Sequence, residues 1–374
     1  MIRITGLSHR IGARTILDAI NLEIHRGEIF TLIGPSGSGK TTLLRQIDLL
    51  DVPTSGEIWY DGVKIGNSEA ARLPIRRRMA MVFQKPTVLN TTVEENVASG
   101  LKFRGVRREE TRGQVHAILD MVGLSGFSKR SALTLSGGEM QRIAIARAVI
   151  TKPDVLLLDE PSANLDPENI RIIEELIFRI NRKFGTTIVL STHDMIQGQR
   201  LATRVGVMME GRLVQAGEIY NIFHHPVNRA IAMFVGIDPI RHGIVQSNDR
   251  NLATIAVQGT SIQAVTSLEK GQRVSLCIRP EEVTISLPDS CAPASSARNC
   301  LAGTITRLLP YGPFTRVHVD CGVPVTALVT RQSCDELNLS LGARVNATIK
   351  ATAIHVIPDH EAERPSAQGT KDGQ

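Results

Sequence analysis

The sequence predicts an α/β domain with a parallel sheet, followed by an all-β region. Over about the first 235 residues, apolar strand-like runs alternate with helical patterns, which is typical of α/β proteins. After about Pro239 the strands become short and separated by turns, and helical periodicity almost vanishes. The length of 374 residues is enough for two or three such domains.

The elements of the first part follow from short apolar runs and turn signals. Gly56–Gly62 contains an Asp-Gly turn signal, which indicates a smaller antiparallel sheet. A mostly helical stretch from about Thr92 to Lys129 indicates a helical insertion into the α/β core. The predicted strands of that core are Ile29–Ile33, Met79–Phe83, Val155–Leu158, Thr187–Ser191 and Arg204–Met209.

The second part contains a weak internal repeat. The segment from Gly271 to Ile285 matches the segment from Gly342 to Val356 at a constant offset, and a strand start at Gly243 or Gly303 precedes each copy. Two copies of a small β-barrel explain this pattern. The predicted organisation is an α/β domain at 1–236, β-barrel repeats at 239–287 and 298–357, and a disordered tail at 358–374.

Composition argues against several classes of protein. The net charge of +6 does not by itself imply nucleic acid, and an aromatic content of 3% is low for stacking on bases. No apolar run approaches the roughly 18 residues of a membrane span, and the start of the chain does not resemble a signal peptide. Five cysteines without a Cys-x-x-Cys pattern favour free thiols over a disulfide framework or a zinc site. We therefore expect a soluble, cytoplasmic chain.

A glycine-rich loop directly follows the strand Ile29–Ile33. It fits the pattern Gly-x-x-x-x-Gly-Lys-Thr and precedes a helical pattern. Glycines let backbone N–H groups wrap a phosphate, Lys40 supplies a positive charge for the terminal phosphates, and the Thr41 hydroxyl is placed to ligate Mg²⁺. The predicted phosphate-binding residues are Gly34, Pro35, Ser36, Gly37, Ser38, Gly39, Lys40, Thr41 and Thr42.

Two carboxylates end the strand Val155–Leu158. Asp159 and Glu160 are expected to diverge because side chains alternate along a strand. One carboxylate can hold Mg²⁺ while the other orients and polarises an attacking water molecule. We assign Asp159 to the metal and Glu160 to the water. The pair is specific only in combination with the glycine-rich loop.

A second helix start is suited to an anion. Ser136 and Glu139 form a capping-box pattern before a helical run from Met140 to Ile150. Two glycines in the first turn cost about 1 kcal/mol each relative to Ala. They are explained if an anion approaches the helix N-terminus. Either two nucleotides bind, or this helix serves a nucleotide held by another copy of the chain.

Together these residues resemble the ATPase subunit of ATP-binding cassette (ABC) transporters, over about residues 1–236. The most specific motif is the signature Leu-Ser-Gly-Gly-x-x-Gln. In this family it closes over the nucleotide on the glycine-rich loop (the P-loop) of the other protomer. The resemblance implies a P-loop ABC ATPase domain with a RecA-like core, an antiparallel β subdomain and a helical insertion, binding ATP and Mg²⁺ in a head-to-tail homodimer. The signature residues are Leu135, Ser136, Gly137, Gly138, Glu139 and Gln141.

Further site residues are implied by the same resemblance. Gln84 matches the loop glutamine that senses Mg²⁺ and contacts the membrane partner, and His193 matches the switch histidine at the γ-phosphate. Asn164 and Asp166 match the loop that faces the other protomer. The implied catalytic residues are Glu160, His193 and Gln84, and the implied metal ligands are Thr41, Gln84 and Asp159.

One position departs from the family pattern. The family usually has an aromatic residue near the end of the first strand that stacks on adenine, and Ile11 stands there in this sequence. Adenine would then rest on an aliphatic face, with less stacking and looser selectivity among nucleotides.

The C-terminal third resembles the small, oligomer-forming, OB-like β-barrels (TOBE domains) that follow the ATPase in many importers. The second copy also resembles molybdate-binding (Mop-like) barrels. Small hydroxyls, amides and a Lys are groups that bind a tetrahedral oxyanion, and a purely structural barrel explains them equally well. The candidate oxyanion residues are Ser296, Arg298, Asn299 and Lys350.

The resemblance implies the ATP-hydrolysing subunit of an ABC import system for an oxyanion, molybdate or tungstate. Its partners would be a second copy, integral-membrane permease subunits and, through them, a solute-binding protein, and it would sit peripherally on the cytoplasmic face of the membrane. No nucleic acid is expected. Two alternatives remain open: an importer ATPase for sulfate, phosphate, polyamine or sugar, and a soluble ABC ATPase acting on DNA or ribosomes. The latter predicts a long coiled-coil insertion or a second cassette, and neither occurs in this sequence.

Overall fold

The computed structural model describes residues 1–237, 239–288 and 296–359. The chain divides into two units, Met1–Ile222 and Phe223–Gln374. The helices are α1 (Lys40–Ile47), α2 (Glu69–Arg76), α3 (Val93–Lys102), α4 (Arg108–Met121), α5 (Gly137–Val149), α6 (Pro167–Phe184), α7 (Met195–Leu201), α8 (Ile219–His224), α9 (Arg229–Phe234) and α10 (Arg331–Glu336).

The first unit has ten strands in two sheets. These strands are β1 (Ile2–Ile11), β2 (Arg14–Ile24), β3 (Ile29–Ile33), β4 (Ser55–Tyr60), β5 (Val63–Lys64), β6 (Met79–Val82), β7 (Val155–Asp159), β8 (Thr187–Thr192), β9 (Arg204–Met209) and β10 (Arg212–Glu218). The larger sheet has the order β10-β9-β3-β8-β7-β6, in which all neighbours are parallel except β9 and β10. The smaller sheet, β2-β1-β4-β5, is antiparallel. The predicted α/β core and the antiparallel sheet are confirmed.

The larger sheet is covered on both faces, which explains its continuous apolar strands. On β7, Leu156 and Leu158 pack into a core that includes residues of α5 and of α3 and α4, the two helices of the predicted insertion. Val155 and Leu157 point the other way, into a core with residues of α1 and the antiparallel sheet. Because β3, β6, β7 and β8 are parallel, their carboxyl ends meet at one edge of the sheet, where ligands bind in folds of this type.

The second unit is dominated by two five-stranded antiparallel sheets with the orders β13-β12-β11-β14-β20 and β15-β19-β16-β17-β18. The strands are β11 (Ile240–Asp249), β12 (Leu252–Val257), β13 (Thr260–Val265), β14 (Arg273–Ile278), β15 (Thr284–Ser286), β16 (Asn299–Tyr311), β17 (Phe314–Asp320), β18 (Pro324–Thr330), β19 (Arg344–Ile349) and β20 (Ile354–Pro358). The all-β prediction for this region is confirmed.

The predicted repeat is visible in the strand register. Gly243 pairs with Val274 in the first sheet, and Gly303 pairs with Val345 in the second. The terminal strands are exchanged, however, because β15 of the first copy pairs with β19 and β20 of the second copy pairs with β14. Side chains of both sheets share one core. The two copies therefore share one hydrophobic core, and each contributes a strand to the sheet of the other.

Three further observations concern predictions from the sequence. Pro358 lies in β20 and Asp359 accepts a hydrogen bond from Ser275 Oγ at 2.7 Å, whereas the rest of the predicted tail lies outside the described residues. Cys300 is disulfide-bonded, so the prediction of thiols is wrong at this position. Among the described residues, no helix combines the length and hydropathy needed to cross a bilayer.

The packing of Gly303 generates a stability prediction. A Cβ at this position would lie 2.6 Å from Asp320 O, Cys321 Sγ and Val319 Cγ1. We therefore expect Gly303→Ala to destabilise the second unit by about 1–3 kcal/mol, the usual cost of overpacking. Differential scanning calorimetry should show that the second unit of Gly303→Ala unfolds at a lower temperature than that of the unsubstituted protein. Gly217→Ala is the control, because Gly217 also lies in a strand but has open space around it. Unfolding temperatures that are the same in Gly303→Ala and Gly217→Ala would contradict the prediction.

Candidate active site

The glycine-rich loop connects β3 to α1 and passes very close to neighbouring backbone. Gly34 has a φ of 155°, and a Cβ there would lie 2.2 Å from the carbonyl oxygen of Met208. Gly39, directly before α1, has a φ of 100°, and a Cβ would lie 2.9 Å from Leu17 Cδ2. At these two positions only glycine fits, so the loop can turn tightly around the N-terminus of α1.

Lys40 lies inside this loop. Its Nζ donates to the carbonyl oxygens of Gly34 at 2.8 Å and Pro35 at 3.0 Å, and the residue is only 5% exposed. Burial lowers the pKa of Lys40, while the carboxylates of Glu160 and Asp159 oppose that shift. The Oγ of Ser38 is buried and has no hydrogen-bond partner among the described residues. An unpaired hydroxyl and an ammonium group in the same loop suit phosphate oxygens.

Thr41 and Asp159 come together at the start of α1. Thr41 Oγ1 donates to Asp159 Oδ1 at 3.0 Å, and Ser191 Oγ donates to the same oxygen at 2.6 Å. A hydroxyl and a buried carboxylate are oxygen donors of the kind that Mg²⁺ prefers. The predicted metal ligands Thr41 and Asp159 are therefore adjacent. The third, Gln84, is instead hydrogen-bonded through Nε2 to Glu160.

The Glu160 carboxylate lies between two polar side chains. Gln84 Nε2 donates to Oε2 at 2.9 Å, and His193 Nδ1 lies 3.2 Å from Oε1. The three predicted catalytic residues thus converge. The reason given from the sequence for the divergence of Asp159 and Glu160 is wrong, however. Strand β7 ends at Asp159, and Glu160 turns away because its backbone is left-handed, with a φ of 44°.

The signature motif begins α5. Ser136 caps the helix: its Oγ accepts from Glu139 N at 3.4 Å and its own N donates to Glu139 Oε2 at 2.7 Å, as the capping-box pattern predicts. The hydrogen bond from Ser136 N lowers the pKa of Glu139. Within the described part of the chain, no hydrogen bond or ion pair links the signature to the glycine-rich loop.

Glycine stands at the two signature positions, 137 and 138, for different physical reasons. A Cβ at Gly138 would lie 2.3 Å from Asn169 Oδ1, so this glycine is required for packing against α6. Gly137 is exposed, with nothing within 4 Å of its Cβ position, which leaves it open to a ligand. The explanation from the sequence, access for an anion, therefore fits Gly137 only. Gln141 is buried, and its Nε2 has no partner among the described residues.

The loop predicted to face the other protomer follows β7. Asp166 Oδ1 caps α6 by accepting from Asn169 N at 2.9 Å, and its Oδ2 accepts from Asn169 Nδ2 at 2.6 Å. These hydrogen bonds lower the pKa of Asp166. Asn164 is exposed and left-handed, with a φ of 60°. Because Asn169 also contacts Gly138, this loop and the signature helix are held together through α6.

Ile11 lies at the end of β1, where its side chain is 62% exposed. It pairs with Arg14 across the turn to β2. An aliphatic side chain is thus presented to solvent at the position where the family pattern would place an aromatic ring.

The candidate oxyanion residues divide into two groups. Asn299 is buried: its Oδ1 accepts from Gln263 N at 2.7 Å, and its Nδ2 donates to Gln263 O at 2.9 Å and Ile349 O at 3.2 Å. Both amide hydrogens are used in holding strands together, so the assignment of Asn299 to an oxyanion is corrected to a structural role. The remaining candidates, Ser296, Arg298 and Lys350, are exposed.

Ser191 is a site residue that the sequence analysis missed. Its Oγ donates to Asp159 Oδ1, and both its Oγ and its carbonyl oxygen lie 3.1 Å from Glu160 N. It therefore holds the carboxylate of Asp159 and the backbone of Glu160 at once. Its position at the end of a buried strand two residues before His193 was the available signal, but the adjacency of β7 and β8 is needed to interpret it.

Comparisons with known proteins agree with this geometry. Residues 17–163 match the ABC transporter family, and residues 295–356 match the TOBE domain family. A spermidine/putrescine import ATP-binding protein of Nitrosomonas europaea is 35% identical over 89% of this chain and 92% of its own length. A molybdate/tungstate import ATP-binding protein of Pyrococcus abyssi is 34% identical over 95% of this chain and 100% of its own.

A solved structure of an ATP-binding cassette is also similar to this chain. A dimeric ATP-binding cassette in a post-hydrolysis state, bound to ADP and phosphate, matches with a TM-score of 0.54 and 32% identity over 59% of this chain and 99% of that one. The likeness to the import proteins spans nearly the whole chain, and the glycine-rich loop and the acidic strand end lie within the matched region. The chain therefore belongs to the ATP-binding subunits of ABC importers, and it is an ATPase whose cassette is followed by a TOBE domain.

Proposed function

We propose that this ATPase drives uptake of an oxyanion, most directly molybdate or tungstate, as a homodimer bound to permease subunits at the cytoplasmic face of the membrane. A solute-binding protein would deliver the cargo to the permease. The observation that supports hydrolysis at this site is the position of the Glu160 carboxylate, which lies between Gln84 and His193 at the same sheet edge as Thr41 and Asp159.

Each side chain at this edge has a distinct task in the proposed reaction. Lys40 and the N–H groups of the glycine-rich loop bind the terminal phosphates of ATP. Thr41 and Asp159 would hold Mg²⁺, which supplies charge neutralisation for those phosphates. Glu160 orients the attacking water and accepts its proton. His193 and Gln84 hold the Glu160 carboxylate, and His193 contacts the γ-phosphate.

The homodimer is proposed because one protomer has a single glycine-rich loop and a second helix start suited to an anion, with no hydrogen bond or ion pair between the two among the described residues. The exposed backbone at Gly137 is open to an anion, and the positive end of α5 favours negative charge there. In a head-to-tail dimer this helix start would close over ATP bound to the partner. The match to a dimeric cassette with ADP and phosphate supports this arrangement.

The permease contact is proposed at a groove directly after Gln84. The groove has a volume of about 470 Å³ and is lined by β6, the segment Lys85–Thr87, α3 and α5. Phe103 on its rim is 83% exposed, and Phe83 is also exposed. Arg147 crosses the groove and donates to Thr87 O at 2.8 Å. A helix of the permease with one apolar face would cover these aromatic side chains and contact the loop that carries Gln84.

The proposed cargo rests on the relatives that cover nearly the whole chain. The relative from Pyrococcus abyssi, named for molybdate and tungstate, covers nearly the whole chain, including the TOBE domain. The relative from Nitrosomonas europaea, named for polyamines, is equally similar, which makes a cationic cargo the second candidate. Calorimetric titration of the associated solute-binding protein with molybdate, tungstate, sulfate and spermidine distinguishes the two. Binding of spermidine alone would reject the oxyanion.

Glu160→Gln should bind ATP normally but hydrolyse it at least about 100-fold more slowly, because the water loses its base while the phosphate contacts remain. Steady-state phosphate release measures turnover, and size-exclusion chromatography should show an ATP-bound dimer. Glu175→Gln is the matched control, since Glu175 is exposed on α6. Turnover of Glu160→Gln at the control rate would reject Glu160 as the base.

Ser136→Arg should abolish hydrolysis without weakening ATP binding by a single protomer, because the signature acts on the partner's nucleotide. Ser136→Ala is the control: it removes the helix cap, worth about 1 kcal/mol, without adding bulk at the dimer contact. Hydrolysis should therefore persist in Ser136→Ala, and nucleotide binding is followed by fluorescence titration.

Mixing Ser136→Arg with Lys40→Ala tests closure between protomers directly. In a mixed dimer both lesions fall on one composite site, and the other site is intact. Recovery of phosphate release on mixing the two inactive variants is expected. Absence of any recovery would argue against two independent sites formed in trans.

Ile11→Tyr should tighten ATP binding about fivefold, since one base–aromatic contact contributes roughly 1 kcal/mol or more. Preference for ATP over GTP should rise only slightly, because stacking discriminates weakly among bases. Ile11→Leu controls for a change of shape without a ring. Equal nucleotide affinity in Ile11→Tyr and Ile11→Leu would mean that adenine does not lie against this side chain.

A further inference from the structure

A buried chain of hydrogen bonds joins the loop after β7 to α7 and α6. Gln197 Nε2 donates to Ser162 Oγ at 2.6 Å and to Glu174 Oε1 at 3.4 Å. Arg200 Nη2 donates to the same Glu174 oxygen at 2.8 Å. Gln197 is 2% exposed and Glu174 is 7% exposed. Gln197 is thus the residue of α7 through which the three elements are connected.

The loop held by Gln197 has left-handed backbone at both ends. Glu160 has a φ of 44° and Asn164 a φ of 60°, and a glutamate, unlike glycine or asparagine, seldom adopts this region. Such conformations persist only where surrounding contacts fix them. Ser162 lies between the two, and its hydroxyl accepts the hydrogen bond from Gln197. This bond therefore helps to hold the backbone conformation that aims the Glu160 carboxylate.

The other end of the connection is fixed relative to His193. Asp194 follows His193 and caps α7, its Oδ1 accepting from Ile196 N at 2.8 Å and Gln197 N at 3.2 Å. Helix α7 also packs tightly on β3, since a Cβ at Gly198 would lie 2.8 Å from Ile33 Cγ2. The first turn of α7 therefore has little freedom to shift. The hydrogen bond from Gln197 fixes the distance between this turn and the loop that carries Ser162.

Packing alone does not account for a glutamine here. Its Oε1 is buried and, among the described residues, has no hydrogen-bond partner. A buried unpaired acceptor is destabilising, so the amide is retained at a cost that an apolar side chain would avoid. What the amide provides is two N–H donors, one for Ser162 and one for Glu174.

We infer that Gln197 is a positioning residue that sets the spacing between Glu160 and His193, acting through the Ser162 hydroxyl and the first turn of α7. The inference rests on the proposed roles of Glu160 and His193. Because the same loop continues to Asn164 and Asp166, Gln197 also ties the surface facing the other protomer to the two residues that orient the water. A neutral donor is required at this position, since Glu174 is already a carboxylate.

Gln197→Glu tests this requirement at nearly constant shape. The new carboxylate would lie beside Glu174, with Arg200 and Asp194 as the other charged groups of α7 near it. Two carboxylates in contact share a proton, which raises the pKa of the pair. Below that pKa the shared proton preserves a hydrogen bond, and above it the two charges repel and the loop is released. The kcat of Gln197→Glu should therefore fall about tenfold relative to the unsubstituted enzyme as the pH rises from about 6 to 9, with a smaller change in KM for ATP.

Two further variants of the full chain test whether the pH dependence of Gln197→Glu arises from its contact with Glu174. Gln199→Glu adds the same charge to the exposed side of α7 and should keep the pH profile of the unsubstituted enzyme. Glu174→Gln combined with Gln197→Glu exchanges amide and carboxylate, and should restore kcat at high pH. A Gln197→Glu profile identical to that of Gln199→Glu would overturn the inference, as would a folded double variant that is no better than Gln197→Glu alone.

Ser162→Ala covers the case in which Gln197→Glu does not fold, judged by circular dichroism. It removes the same hydrogen bond from the loop side and should lower kcat several-fold with no new pH dependence. An unchanged kcat in Ser162→Ala would contradict the inference. If Glu160→Gln loses turnover but Ser162→Ala and Gln197→Glu behave normally, only the role of Gln197 fails; if Glu160→Gln keeps turnover, the proposed site fails first.

Discussion

The carboxylate of Asp159 is the contact on which the site depends. It ends β7 in a buried position and accepts hydrogen bonds from Ser191 on β8 and Thr41 on α1. A buried carboxylate is costly unless its lone pairs are satisfied. Satisfying them draws the first turn of α1 and the ends of two strands to one point. The glycine-rich loop must then close the short distance between β3 and α1, which explains why Gly34 and Gly39 have no room for a side chain.

The same edge concentrates negative charge where a polyphosphate has to bind. Asp159 and Glu160 lie close enough to Lys40 to oppose the fall of its pKa that burial causes. One ammonium group does not balance two carboxylates and the phosphates of ATP. The proposed divalent cation, held by Thr41 and Asp159, would remove this imbalance, since bound metal ions are often the largest local charges in a site. In this proposal the cation makes tight nucleotide binding compatible with the acidic pair.

Much of this arrangement could be predicted from the sequence because local patterns specify it. The apolar runs of β3 and β7, the loop glycines and the Ser136–Glu139 capping box each act within a few residues, and all are present. What depends on the order of strands could not be predicted. Ser191 acquires its role only because β8 lies beside β7, and Gly138 its role only because Asn169 packs on it. The strand exchange of the second unit also escapes prediction, because both copies of a repeat offer the same pairing pattern.

Asn299 shows how the same limit affects functional assignment. Its residue type suits an oxyanion, and neither its type nor its spacing reveals that its amide joins β13 to the start of β16. The structure settles such a case by counting hydrogen-bond donors: once both N–H groups are used, a ligand could bind only by breaking contacts that hold the sheets. Gln197 is the converse case, a helix residue whose side-chain amide donates to Ser162 in the loop after β7 and to Glu174 on α6. For both residues the role follows from the groups to which the side-chain amide donates, and the residue type alone does not reveal it. The amide of Asn299 joins strands, whereas the amide of Gln197 binds the loop that carries Glu160.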